Sequence, residues 1–162
     1  MADQTLIVYY SWSGNTRKVA RIIHEIVGGD IVELEPEEPY PKSYNATLER
    51  AKREIQSGYR PPLKTKIEKI ETYGTVFIGS PNWWGTIAPP ITSFLSQYNL
   101  SGKTIAPFFT HGGGGLQRML DDLKKLCPNA KILQPFVVYG GGRGNLKDRV
   151  YRWLVEIGVV GR

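Results

Sequence analysis

Short apolar runs and amphipathic stripes alternate along this chain. Five runs rich in Val, Ile, Phe or Tyr, at 5–10, 30–35, 74–80, 103–109 and 131–139, are bounded by Gly, Pro, Asn or Ser and predict strands. Between them, apolar residues recur at helical spacing. Val19, Ile22, Ile23, Ile26 and Val27 form one stripe, beginning right after Asn15-Thr16. Tyr44, Leu48, Ala51 and Ile55 form a second. Ile91, Phe94, Leu95 and Tyr98 form a third, with Pro89-Pro90 suited to its first turn. Leu116, Met119, Leu120, Leu123 and Leu126 form a fourth, and Val150, Trp153, Leu154 and Ile157 close the chain. All five stripes read as core faces.

Five strands alternating with five helices predict an α/β fold of three layers, a parallel sheet covered on both sides. Right-handed crossovers restrict its topology to a few choices. At 162 residues the chain makes one domain, spanning 1–162. The connection 36–73 reads as a surface excursion carrying a helix, with no linker long enough to mark a second domain. In such a sheet, ligands bind beyond the carboxyl ends of the strands. The loops there are SWSGNT (11–16), SPNWWGTIAPP (80–90), THGGGG (110–115) and GGGRGN (140–145).

Composition removes several function classes. No apolar run approaches the roughly 20 residues of a membrane-spanning helix. The start, MADQ, has no basic segment ahead of an apolar stretch, so a cytoplasmic protein is expected. A single cysteine, Cys127, excludes an internal disulfide and a cysteine-rich metal site, and before Pro128 it reads as a packed thiol. His24 and His111 are too few and too far apart for a zinc site. The net charge of +6 is spread along the chain: the seven Lys or Arg of 50–69 are interleaved with Glu54 and Glu68. That is a solvated surface with some preference for acidic partners, not a nucleic-acid module.

The chemistry lies in the loops. A helix N-terminus presents unpaired amides and a partial positive charge, which suit a phosphate. Ser11, Ser13 and Thr16 add hydroxyl donors there and Asn15 an amide, while Gly14 lets the backbone curl around a ligand. This cradle needs no positive side chain. The other phosphate loops fail: Gln97 stands where GxxxxGK[ST] needs glycine, and Gln117 and Asn145 spoil GxGxxG. No GxSxG elbow occurs. In the second loop, Asn82-Trp83-Trp84-Gly85 offers two indoles that are costly to expose, so a flat ring stacking on Trp83 or Trp84 is expected. In the third, Thr110-His111-Gly112-Gly113 offers bare backbone to the rim of such a ring. A phosphate tail with a planar heteroaromatic head fits FMN.

At these residues the sequence resembles the flavodoxin family. Ser11-Trp12-Ser13-Gly14-Asn15-Thr16 matches the family's [ST]-x-[ST]-G-N-T phosphate loop, and SPNWWGTIAPPITSFL and PFFTHGGGG look like the loops flanking the isoalloxazine. The resemblance covers essentially the whole chain. It implies a flavodoxin-like, doubly wound five-stranded sheet of order 2-1-3-4-5, noncovalent FMN and flavin redox chemistry. By that resemblance Ser11 to Thr16 hold the phosphate, Pro81 to Gly85 carry the N5 side of the ring, and Thr110 to Gly113 the pyrimidine side. A carbonyl of Trp84-Gly85-Thr86 would turn toward flavin N5 on one-electron reduction. The chain departs from the family in being basic and in having only His111 where many members place a tyrosine. The implied role is an electron carrier between redox partner proteins. An FMN enzyme passing electrons from NAD(P)H to a quinone-like acceptor is the alternative, and a flavin-free binding module a third reading. No general acid or base stands out.

Overall fold

The structure is a computed structural model, described over residues 4–161. β1 (Gln4–Tyr9), β2 (Asp30–Glu33), β3 (Tyr73–Trp83), a two-residue β4 (Thr86–Ile87), β5 (Thr104–His111), β6 (Lys131–Ile132) and β7 (Phe136–Tyr139) are the strands. The helices are α1 (Asn15–Val27), α2 (Tyr44–Ser57), α3 (Pro89–Gln97), α4 (Met119–Leu126) and α5 (Leu146–Glu156). Parallel pairing runs β2-β1-β3-β5, and β6 and β7 both pair with β5. Counted as one broken strand, β6 and β7 complete the expected flavodoxin-like order 2-1-3-4-5. Among the described residues no helix is long and apolar enough to cross a membrane.

The two-residue side-chain period of a strand sorts the core. Leu6, Val8 and Tyr10 face one layer with Val76, Ile78, Ile91, Phe94 and Met119. Ile7 and Tyr9 face the other with Val19, Ile23, Phe77, Phe108, Val150 and Trp153. The helical stripes therefore do seal both faces, with exceptions at their ends. Tyr44 is 54% exposed and Leu126 36%, each standing in the terminal turn of its helix. Cys127 is buried just beyond α4, where burial pushes its thiol up to about 11.

Two further departures have local causes. The expected strand 131–139 breaks between Ile132 and Phe136. Pro135 has no N–H for the ladder, and the Gln134 carbonyl turns to accept from the Trp153 indole at 2.8 Å. The connection expected as a loop after the third strand is instead a hairpin. β3 runs on to Trp83 and pairs antiparallel with β4, and Trp84 (φ 56°) and Gly85 (φ 83°) form its two-residue turn. Positive φ at both central positions is the type I′ geometry that matches strand twist.

Candidate functional site

The carboxyl end of β1 feeds directly into α1, and Gly14 at φ 100° turns the chain between them. The Ser11 hydroxyl accepts from the Gly14 and Arg17 amides, at 3.1 and 3.2 Å, and shapes the loop from inside. The amides of Ser13, Asn15 and Thr16 find no acceptor among the described residues, so the helix start presents free donors. Arg17, the nearest guanidinium, does not join them. It forks onto Glu33 at 2.8 and 2.7 Å, and the Tyr9 hydroxyl donates to the same carboxylate. Of the three hydroxyls expected to face a ligand, those of Ser11 and Thr16 are engaged within the protein, so this loop offers its backbone amides and the Ser13 hydroxyl.

A buried bond between the Thr16 and Thr110 hydroxyls, 2.8 Å, ties this loop to the end of β5. Around it opens a cleft of about 260 Å³. From the first loop Trp12, Ser13, Asn15 and Thr16 line it. Pro81, Asn82 and Trp83 come from the end of β3, and Thr110, His111 and Gly112 from the end of β5. Ser11 and Gly14 belong to the same loop but do not line the cleft. The Trp12 indole is fixed by donating to the Pro41 carbonyl at 3.0 Å. His111 accepts on Nδ1 from the Gly113 amide at 3.0 Å.

The two tryptophans of the second loop part company. Trp83 is buried, set edge-on to Tyr10 and Tyr40 with centroids at 5.4 and 5.0 Å. Trp84 turns away toward α2, where its indole donates to the Leu48 carbonyl at 2.8 Å and Lys52 lies over the ring. The Gly85 and Trp84 carbonyls both accept from Arg118, the first from its amide and the second from its guanidinium. Asn82 latches the hairpin to the third loop: its amide donates to the Gly115 carbonyl and to Gln117, and its oxygen accepts from the Gly85 amide. Trp84 and Gly85 thus belong to the hairpin's outer side rather than the cleft wall. Gly113 stands at the rim beside Tyr139.

Sequence reasoning missed three lining residues, Tyr44, Tyr139 and Gly140. Tyr44 tilts against Trp12 with centroids 5.4 Å apart, and Tyr139 stands edge-on to His111 at 5.6 Å. The loop at 140–145 stood among those expected at the carboxyl edge, yet its glycines gave no side-chain signal. A tyrosine does stand at this rim, but on β7 rather than in the third loop.

A family model described as flavodoxin matches residues 4–157. The chain belongs to the flavodoxin family. No curated protein matches it. Among solved structures, a candidate flavoprotein from Bacteroides eggerthii is similar at 32% identity and TM-score 0.85, covering 97% of this chain and 99% of that one. Another from Bacteroides uniformis is similar at 26% and 0.83, covering 95% and 99%. A flavoprotein from Lactobacillus acidophilus, solved in complex with FMN, is similar at 27% and 0.74, covering 94% and 99%.

Proposed function

We propose that this chain is an FMN-binding electron carrier. Family membership makes FMN the cofactor, and the observation that carries the reading is the set of free amides at the start of α1, opening onto a cleft with aromatic walls. These residues fit the group. The amides of Ser13, Asn15 and Thr16, with the Ser13 hydroxyl, would hold a phosphate dianion against the helix dipole. Trp12, Tyr44, Trp83, His111 and Tyr139 would cover the ring and keep water from it. Bound FMN supplies the redox chemistry by accepting and releasing electrons. The protein supplies position: Thr16–Thr110 locks the phosphate loop to the third loop, and Pro41 pins Trp12.

The test is an absorption spectrum of the purified protein and titration of its apo form with FMN. The expected result is a yellow protein with a dissociation constant of about 1 μM or tighter. Gly14→Val, which forces a β-branched residue to positive φ, should weaken FMN binding about tenfold. A colourless protein that takes up no FMN overturns the reading. Rapid mixing with NADPH or NADH decides the role: slow reduction supports the carrier, and fast reduction moves the assignment to an NAD(P)H oxidoreductase.

A further inference from the structure

A second groove, of about 280 Å³, lies between the end of α2, β4, the start of α3 and α4, and shares no lining residue with the cleft. Its apolar lining comes from buried Ile87 and Pro89, half-buried Ile55, and two exposed side chains, Tyr59 and Leu126. Five charged side chains line it too, and what they offer a visitor is one-sided. Both carboxylates are already engaged. Glu54 is buried, accepts from the Tyr40 hydroxyl and pairs with Arg50 at 3.1 Å. Asp122 accepts from the Thr86 hydroxyl and stands 3.9 Å from Arg118. Arg60 and Lys125 are exposed and have no carboxylate partner among the described residues. The groove therefore shows apolar surface and positive charge.

Trp84 is tied to this groove through Arg118, whose guanidinium lines it and donates to the Trp84 carbonyl. The hairpin holds Trp84 at positive φ, which side chains avoid, yet its ring stays 43% exposed instead of entering the core. Lys52 lies over that ring and adds a further exposed cation. Trp, Tyr and Arg are the side chains that carry most of the binding energy where proteins meet, and depletion of free carboxylates leaves this set suited to an acidic face.

We propose that this groove, with Trp84 beside it, is the docking surface for an acidic protein partner. One apolar side chain of the partner enters between Tyr59, Ile87 and Leu126, and carboxylates flanking it meet Arg60, Lys125 and Lys52. Because the hairpin that carries Trp84 also supplies Asn82 and Trp83 to the cleft, a partner seated here stands next to the site of electron exchange. That the partner is a redox protein rests on the FMN reading of the cleft; the docking itself does not.

The test is an NMR titration of the isotope-labelled, assigned protein, with FMN added, by a short blocked peptide of Asp and Glu around a single Phe. Shifts are expected at the Trp84 indole N–H and at the amides of Tyr59, Thr86 and Leu126, with a dissociation constant below about 1 mM at low salt. High salt should weaken binding about tenfold, and so should replacing the peptide's Phe by Ser. An Arg60→Glu, Lys125→Glu variant should lose at least about tenfold in affinity with Tm held. A Lys18→Glu, Arg143→Glu variant, equal in net charge but unchanged at the groove, should stay within about twofold of the parent. The proposal is overturned if no shifts appear, if they map elsewhere, or if the two charge variants weaken binding alike. It is overturned too if the same residues shift with protein concentration alone, which would give the groove to a second copy of this chain. Peptide binding by a protein that takes up no FMN supports the docking surface and refutes the flavin reading.

Discussion

Glu33 is where the first loop meets the edge of the sheet. Burial alone would raise its carboxyl, but the Arg17 fork and the Tyr9 hydroxyl outweigh it and hold the group below the usual carboxylate range. The same contact acts oppositely on Tyr9, whose phenol is pushed up to about 12 by burial and by the neighbouring carboxylate. The unfolded phenol ionises near pH 10. Tyr9 therefore contributes stability that is complete below pH 10 and is lost as pH rises toward 12. Urea unfolding across pH 9–12 should show a shallower alkaline loss in Tyr9→Phe, by up to about 1.4 kcal/mol per pH unit, one proton's worth. The free amides at the start of α1 were legible because they belong to consecutive residues at a strand-helix junction, whereas the engagement of the Ser11 and Thr16 hydroxyls was not. Nor was Tyr44, since its spacing puts it on the core stripe, while its place in the first turn of α2 leaves its ring exposed.

At the scale of elements, β3 and β5 are held in register by an exchange of volumes. Gly79 pairs with Phe108, and a Cβ on Gly79 would stand 2.2 Å from that ring. Gly79→Ala should lower unfolding stability by about 1–3 kcal/mol, and adding Phe108→Leu should restore part of the loss, read by chemical denaturation. Strands and helices were readable from periodicity because each buries one face or two. The hairpin was not, because its turn is Trp84-Gly85 rather than Asn-Gly. A tryptophan at positive φ is a choice that local propensity argues against. What holds it is only partly local: the Asn82 oxygen accepts from the Gly85 amide, while Leu48 and Arg118 bond to the turn from distant parts of the chain that no short window of sequence contains.

For the whole molecule, part of the excess positive charge stands near the loop that closes the cleft. Lys18 packs beside Gly141 in the loop that follows Tyr139, and Arg143 is exposed two residues further on. Two-electron-reduced flavin is expected to be anionic, so these cations should make its potential less negative. Lys18→Glu with Arg143→Glu takes the net charge from +6 to +2, two cations becoming two anions. The potential of bound FMN should fall, and the fall should shrink in high salt as screening shortens to about 3 Å at 1 M. A fall of the same size at both ionic strengths would assign it to altered contacts instead. Composition gave the sign of the net charge, while the placing of Lys18 beside the last loop needed the fold to bring α1 and residues 140–145 together. Cys127 offers a different use of the architecture. As the chain's sole thiol, largely covered in the native state, it should meet an alkylating reagent faster when the end of α4 loosens from the sheet. Its modification rate, measured with and without added flavin, is then a clock for how far tightening at the cleft propagates to the far end of the domain.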